Sequence, residues 1–367
     1  MTYNIGLRIR ALRELRGLSQ EDLSRRLGFN DRQTLSAIET GERKVSAEEL
    51  LLAAQHLKEP LDYFTDPYIL AGEGQFSWRQ MNVPAASLLG YEKIAGRWIA
   101  AFRAISRQVG RRPPLLRRAL GITRHHRFED ASEAGERFAA EMKLGDIPAK
   151  VLRETMEKQL GILVLMADTF SGISGAACRL PDLDVVLINR AEVPGRRHFD
   201  LAHELFHILT WDAMPPDHVE EAVETSKNRV EQLANSFASG VLMPATVLDR
   251  FGTWGDLGKQ ELVAKLNETA DDLAVTASAL KWRLVSTGQL AQTTARAIPD
   301  SSLRNNGCKT PEIHSPVLFS RSFAEVLAQG LEEGQLSMRS AATLLGVKLD
   351  DMAELFQQHG IELSMEV

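Results

Sequence analysis

Two histidines and a glutamate stand at a spacing that can bind a metal ion and hydrolyse a peptide bond. The segment FDLAHELFHIL contains His203, Glu204 and His207. Residues four apart share one face of a helix, so both imidazoles can reach one ion while Glu204 lies beside them. Zinc suits two imidazoles, a third protein ligand and an open position for water, whose proton a nearby carboxylate can take. The pattern therefore predicts zinc ligands at His203 and His207 and a general base at Glu204.

The third zinc ligand is expected further along the chain. The segment RVEQLANSFASGVLMP (229–244) is predicted to form a helix. Glu231 lies above small residues on one face of this helix, which favours close packing against the first helix and a carboxylate aimed at the ion. Glu231 is the first candidate on these grounds, and Glu224 and His218 remain alternatives.

The elements around this pattern indicate an α+β domain. GILVLMAD is a short apolar run typical of a buried strand, and two further strand candidates, separated by turn residues, follow it. The predicted strands cover about 161–168, 172–180 and 183–191, and the two helices that carry the chemistry cover about 198–211 and 227–242.

RRHFDLAHELFHIL followed by VEQLANSFASGVLMP resembles the ImmA/IrrE family of metallopeptidases over about residues 141–290. That family shares the two-histidine helix and a glutamate three residues before an Ala-Asn-x-Phe-Ala run that ends in Leu-Met-Pro. The resemblance implies zinc ligands at His203, His207 and Glu231, Glu204 as general acid and base, and a small β-sheet packed on helices. Members typically cleave a helix-turn-helix repressor and so derepress genes of mobile elements or stress responses.

Residues 5–64 resemble the Xre/Cro-like helix-turn-helix family, and TLSAIETGERKVSAEELLLAAQHL contains the Glu-x-Gly-x-Arg turn after the recognition helix. One extra residue before that helix leaves its N-terminus undefined. Residues 1–65 hold ten basic and ten acidic side chains, so tight binding to double-stranded DNA should need a homodimer or added contacts. The side chains expected at base edges are Arg32, Gln33, Thr34 and Ser36, and those expected at phosphates are Arg43 and Lys44.

Length and composition are those of a multidomain globular protein. The chain has 367 residues, a net charge of −6 and no apolar run of the roughly 18 residues that a membrane span needs. The first residues, MTYNIGLRIRALRELRG, indicate an amphipathic helix rather than a signal peptide. Cys178 and Cys308 are expected to be reduced thiols. We therefore expect a cytoplasmic protein with no membrane partner.

Four parts are predicted along the chain. The stretch from Arg97 to Arg127 holds nine arginines and no acidic residue, which indicates either a solvated helical face or a surface for DNA or a partner. The helices near the C-terminus are expected to serve packing or dimerisation. The parts are a five-helix helix-turn-helix domain (1–66), a helical linker (67–140), a zincin-like metallopeptidase domain with a small β-sheet (141–297) and a C-terminal helical module (298–367).

The combined pattern predicts a DNA-binding regulator that is also a zinc endopeptidase, with a transcriptional repressor or another regulatory protein as substrate. The alternative is a transcriptional regulator or antitoxin-like protein, with a toxin-like partner and a structural or inactive zinc site. Glu204 favours the enzyme, because a purely structural site has no use for a base beside its ligands. The fused DNA-binding domain keeps the alternative open.

Overall fold

The structure, a computed structural model of the chain, describes residues 5–70, 72, 74–81, 83–111, 116–216, 229–304 and 315–363. The fold is mostly helical with a four-stranded sheet, which confirms the predicted α+β class. Two alternatives for the third ligand, Glu224 and His218, lie outside the described residues, as does Cys308. Within the described ranges, no helix is both long enough and apolar enough to cross a membrane.

Five helices form the N-terminal unit. Ser19, Asp31 and Ser46 each accept a hydrogen bond from the third backbone N–H of the helix that follows, which fixes where three of the helices begin. The apolar faces converge on a core around Leu23 and Phe64. The helices are α1 (Ile5–Leu15), α2 (Gln20–Arg26), α3 (Arg32–Thr40), α4 (Ala47–Leu57) and α5 (Leu61–Thr65).

The next segment differs from the helical linker expected over 67–140. Gln75–Gln80 form strand β1, in which Phe76 and Trp78 alternate with polar residues and pack their rings on one face of the sheet. Helix α6 (Ala85–Gln108) follows and covers that face. The limit at residue 140 stays a prediction for the family domain, but the sheet includes residues on both sides of it.

The three predicted strands are present as β2 (Ile162–Ala167), β3 (Ile173–Leu180) and β4 (Leu183–Asn189). The strand order is β1-β3-β4-β2, with β2 parallel to β4 and the other pairs antiparallel. The remaining α-helices are α7 (Phe128–Glu141), α8 (Pro148–Gln159), α9 (Pro194–Thr210), α10 (Arg229–Leu242), α11 (Ala245–Leu248), α12 (Lys259–Leu273), α13 (Ala277–Ser286), α14 (Gln292–Arg296), α15 (Arg321–Glu332), α16 (Met338–Leu345) and α17 (Asp351–Gln358).

Helices cover both faces of the sheet. Val164 and Val186 point into a core shared with α7 to α10, whereas Leu165 and Val185 point into a second core shared with α6 and α15 to α17. In the second core the ring of Phe102 stacks on that of Phe323, with 5.9 Å between centroids. The C-terminal helices therefore form one wall of the sheet's core, which is the packing role expected for them.

The arginine-rich stretch is used largely for ion pairs within the chain. Arg103 and Arg107 both contact Asp182 in the turn between β3 and β4, with an Nε–Oδ1 distance of 2.7 Å for Arg103. This pairing fastens α6 to the end of the hairpin. Further pairs along the stretch are Arg111–Glu325, Arg117–Asp184, Arg118–Glu141 and Arg127–Asp130.

Candidate metal centre

Helix α9 brings the two histidines onto one buried face. The helix begins at Pro194, a residue whose fixed φ suits the first helical position, and every residue from Asp200 to Thr210 is buried. His203 and His207, one turn apart, have ring centroids 5.0 Å apart and Nε2 atoms 3.2 Å apart. The four-residue spacing therefore places the two imidazoles on one face of the helix, as predicted, with their Nε2 atoms close together.

Helix α10 carries the third donor, Glu231, and a glycine allows this helix to pack closely on α7. A Cβ atom on Gly240 would collide with the backbone of Ser132 in α7, so α10 lies tight against that helix. Helix α10 also packs on α9 and places Glu231 there, with Oε2 3.1 Å from Nε2 of His203 and Oε1 3.4 Å from Nε2 of His207. The structure thus brings the first candidate for the third ligand to the two histidines.

The three donors fit a divalent cation. A tetrahedral zinc ion with bonds of about 2.0–2.1 Å spaces its ligand atoms by about 3.3 Å, and the donor atoms here are 3.1 to 3.4 Å apart. Burial lowers the pKa of His203 to about 3, which favours the neutral ring that metal binding needs. Burial would raise the pKa of Glu231, but hydrogen bonds with His203 and His207 outweigh it and hold that pKa well below its usual range.

Asn235, one turn after Glu231 on α10, orients the first histidine. Its Oδ1 lies 3.0 Å from Nδ1 of His203 and accepts a hydrogen bond when that nitrogen carries the proton. This contact leaves Nε2 of His203 as the nitrogen with a free lone pair, directed at the other donors. The sequence places Asn235 beside Glu231 on the same helix face, but its role was missed. The four-residue spacing was the available signal.

Glu204 lies beside the donors and is fully buried. Neither carboxylate oxygen has a hydrogen-bond partner among the described residues, and burial raises the pKa of Glu204 to about 8. Strand β3 passes close by at Gly175, where a Cβ atom would stand 3.4 Å from Cγ of Glu204. The carboxyl group is thus held next to the cation-binding point by packing alone, which leaves its oxygens available for a proton.

A charged pair at the edge of the site was also missed by sequence reasoning, because β1 was not predicted. Arg79 of β1 lies with Nε 3.2 Å from Oδ1 of Asp200, a fully buried residue one turn before Glu204 on α9. The alternation of rings and polar side chains in QFSWRQ was the signal for that strand.

A cleft of about 1040 Å³ lies near the centre, although its lining does not include His203, Glu204, His207 or Glu231. Its lining includes Arg79, Asp200 and Asn235. Asn235 is the hydrogen-bond partner of His203, and Asp200 lies one turn before Glu204 on α9. The exposed Trp282 of α13 also lines the cleft. A cleft of this size is large enough to hold several residues of a peptide.

The candidate DNA-contacting residues lie on the surface of the N-terminal unit. The structure places the start of the recognition helix α3 at Arg32, capped by Asp31. The side chains of Arg32 and Gln33 are exposed, whereas those of Thr34 and Ser36 are half-buried; Arg43 and Lys44 follow in the exposed turn after α3. The Thr34 hydroxyl donates to Asp31 at 3.1 Å, so in this arrangement it can only accept a hydrogen bond from a base.

Two family models match this chain. Residues 9–64 match a helix-turn-helix model, and residues 157–284 match the IrrE N-terminal-like domain. The second match contains His203, Glu204, His207 and Glu231 together with β2 to β4.

Curated relatives agree with the second match. The radiation response metalloprotease IrrE of Deinococcus radiodurans is 39% identical over 20% of this chain and 25% of its own length. Its namesake from Deinococcus deserti is 35% identical over 26% of this chain and 35% of its own length. The chain thus spans about a quarter to a third of the length of these relatives.

Among solved structures, Bacillus thuringiensis PlcR in complex with a peptide and DNA aligns over 98% of this chain and 97% of its own, with 11% identity. Its TM-score of 0.16 means that the two chains do not superpose as wholes. From the family models and curated relatives, the chain joins a helix-turn-helix domain to a domain of the IrrE N-terminal-like family.

Proposed function

We propose that this protein is a DNA-binding regulator whose second domain is a zinc endopeptidase acting on a regulatory protein. The observation that carries the proposal is the convergence of His203, His207 and Glu231 beside the buried carboxyl group of Glu204. Two imidazoles and one carboxylate are the ligand set of several zinc peptidases, in which the fourth position is kept for water. The curated relatives named as metalloproteases support the same assignment.

In this proposal Glu204 transfers protons and Asn235 orients a zinc ligand. Zinc, when bound, supplies a Lewis acid that polarises the peptide carbonyl and lowers the pKa of the attacking water. Glu204 takes the proton of that water as its oxygen adds to the carbonyl carbon. Glu204 then passes the proton to the amide nitrogen as the C–N bond breaks. Asn235 keeps His203 in the orientation that the donor set needs.

The N-terminal unit is proposed to bind double-stranded DNA as a homodimer. Its recognition helix α3 presents Arg32 and Gln33 at its exposed first turn, where helix-turn-helix proteins read base edges. Replacing Gln33 and Ser36 with alanine should reduce discrimination between operator and random DNA by about 1–3 kcal/mol per lost base contact. Footprinting of the region upstream of the gene tests this. Equal affinity of the variant and the wild type for operator and random DNA would argue against base contacts by α3.

The decisive experiment compares wild-type protein with Glu204→Gln, both loaded with zinc. The substrates are a peptide library derived from the host proteome and any repressor encoded beside the gene. We expect new N-termini with the wild type and a 10²–10⁴-fold lower cleavage rate with the variant, because Glu204 moves protons but does not hold the ion. Zinc content and thermal stability should be the same in both proteins.

The alternative function, a regulator or antitoxin-like protein with a structural zinc site, has its own signature. The exposed face of α3 supports it, since the DNA-binding unit could act without any cleavage. If wild type and Glu204→Gln give identical peptide patterns and identical gene expression in cells, whereas removal of residues 1–66 changes expression, the alternative replaces the peptidase.

A further inference from the structure

Arg79 faces the metal centre from the edge of the sheet. Along β1, Phe76 and Trp78 stack on each other with 5.3 Å between centroids and face the core under α6. Successive side chains of a strand point to opposite faces, so Ser77 and Arg79 face α9. Among the described residues no strand pairs with the outer edge of β1, which leaves that edge open to an extended peptide.

The register places Arg79 next to Glu204. Arg79 is paired with Gly175 of β3, and Gly175 is the residue whose Cβ atom would stand 3.4 Å from Cγ of Glu204. Directly opposed residues of antiparallel strands have Cβ positions about 4.5–5.5 Å apart. The guanidinium group also pairs with Asp200, which lies four residues before Glu204 on the same face of α9.

An ion pair and a ring contact hold the guanidinium group, and neither supplies a hydrogen-bond acceptor for Nη1. Nε lies 3.2 Å from Oδ1 of Asp200, and the group lies over the ring of Phe199 at 5.7 Å from its centroid. Within the part of the chain that is described, the buried Nη1 has no hydrogen-bond acceptor. An unsatisfied buried donor costs about 1–3 kcal/mol, more when it is charged, so an acceptor from a ligand would stabilise the site.

The other described cations that line the cleft are already bound. Arg283 donates to the Met243 carbonyl and to Glu136, and Arg196 contacts Glu192. The cleft lining contains no tyrosine or lysine among the described residues. Arg79 is therefore the described cleft cation with an unsatisfied buried donor, and its register opposite Gly175 places the residue near Glu204.

We propose that Nη1 of Arg79 donates a hydrogen bond to the carbonyl oxygen of the scissile peptide bond, a role that rests on the proposed peptidase function. As water adds to the carbonyl carbon, the π electron pair of the C=O bond moves to that oxygen and Glu204 takes the water's proton. Arg79 stabilises the negative oxygen and keeps its own proton. The electron pair then re-forms the C=O bond, the C–N bond breaks and the amine leaves with the proton from Glu204.

The test uses Arg79→Gln with Ser77→Ala as the matched control on the same strand and the same face. We expect Arg79→Gln to lower kcat by about 10²–10³-fold, the typical loss for an oxyanion donor, with KM changed less than threefold. Ser77→Ala should match the wild type. Because Arg79→Gln leaves the buried Asp200 with only Arg196, whose Nε lies 4.0 Å from Oδ2, the double variant Arg79→Gln/Asp200→Asn is measured too. A structural role predicts that the double variant recovers, whereas oxyanion binding predicts that it stays slow.

A second readout separates this inference from the proposed function. Zinc-loaded proteins are titrated calorimetrically with a capped Ala–Ala phosphinic pseudopeptide, whose two phosphinate oxygens mimic the tetrahedral centre. We expect Arg79→Gln to weaken its binding by about 10²-fold, whereas Glu204→Gln weakens it much less. Equal phosphinate affinity of wild type and Arg79→Gln, or an unchanged kcat in Arg79→Gln, overturns the role of Arg79 and leaves the peptidase assignment intact. Phosphinate binding that depends on Arg79 in a protein that cleaves no peptide supports Arg79 while the proposed function fails.

Discussion

The candidate residues of the metal centre are largely buried, whereas the first residues of the recognition helix α3 are exposed. At the centre, His203, Glu204 and Glu231 are largely enclosed, and each is held by packing or by a second side chain. On α3, Arg32 and Gln33 are exposed. Packing restricts buried side chains to few rotamers, so the distances between candidate residues of the centre are informative. Exposed side chains can adopt many rotamers, so the structure gives the positions of Arg32 and Gln33 on α3 but not the contacts that they make with DNA.

The largest expected effect is the loss of zinc from the metal centre with no change in the N-terminal unit. His203→Ala or His207→Ala removes one of three donors that stand 3.1 to 3.4 Å apart, so bound zinc should fall from about one ion per chain to none. Elemental analysis after dialysis measures it. Operator binding by the N-terminal unit should be unchanged. Stoichiometric zinc in the double histidine variant would remove the centre from this position.

The reverse experiment breaks the N-terminal unit and spares the centre. Arg13 and Glu39 form a buried pair with Nε–Oε1 at 2.7 Å, and Gln20 also donates to Glu39. Glu39→Ala removes the main partner of the buried Arg13 and leaves it only Glu14, at 3.3 Å, as an acidic partner, so the unit should lose up to about 3–5 kcal/mol of its free energy of unfolding. The control is Glu21→Ala, which removes an exposed partner of Arg25 and should cost no more than about 1 kcal/mol.

Thermal unfolding followed with and without zinc measures both variants. Glu39→Ala should lower an unfolding transition that does not respond to zinc, and metal content should stay at one ion per chain. Loss of zinc from Glu39→Ala would show that the two regions depend on each other for folding.

A smaller effect tests how the centre is held. Asn235→Ala removes the acceptor for Nδ1 of His203 but no donor to the ion, so zinc affinity should fall about 10–100-fold, the usual range for such outer partners. Ser236→Ala, the next residue on α10, is the control, because its hydroxyl bonds to the Gln232 carbonyl. Competition with a zinc-binding dye measures both. Equal affinities would mean that packing alone orients His203.

Much of the centre could be predicted because its signals are local. The spacing of His203 and His207 on one helix face, and the small residues beside Glu231, are properties of single helices. Strand β2 is a continuous apolar run, and β3 and β4 are short, largely apolar segments separated by turn residues. These features were predicted with bounds close to those of the structure.

What could not be predicted depends on contacts between distant segments. Arg79 reaches the centre because β1 pairs with β3 about a hundred residues later in the chain, and no local pattern encodes that pairing. Likewise, the partners of the arginine-rich stretch, such as Asp182 for Arg103, are set by the packing of α6 on the sheet. The charge pattern of that stretch therefore left open whether it is a binding surface.

The smallest expected effect concerns Arg43, which follows the recognition helix α3 and is exposed, unlike the residues of the metal centre. Arg43, a candidate for phosphate contact, pairs with Glu49 through two hydrogen bonds of 3.0 and 2.7 Å. Exposed pairs contribute about 0–1 kcal/mol, so a phosphate can displace Glu49 at a small cost. Glu49→Gln keeps an oxygen for the backbone N–H of Ser46, with which Glu49 forms the capping box of α4. Helix α4 should therefore keep its stability while Arg43 is released.

Glu49→Gln should raise affinity for operator and random DNA alike, by up to about fivefold, because phosphate contacts carry no sequence information. The slope of log affinity against log salt should steepen by about one unit if Arg43 gains a phosphate. Glu48→Gln makes the same change of charge on an exposed neighbour and controls for overall charge. Fluorescence anisotropy at several salt concentrations measures all three proteins. If Glu48→Gln and Glu49→Gln raise affinity equally, the gain comes from net charge and Arg43 has no phosphate to contact. A gain confined to Glu49→Gln, and lost again in Glu49→Gln/Arg43→Ala, assigns the contact to Arg43, which the geometry of this exposed face does not do alone.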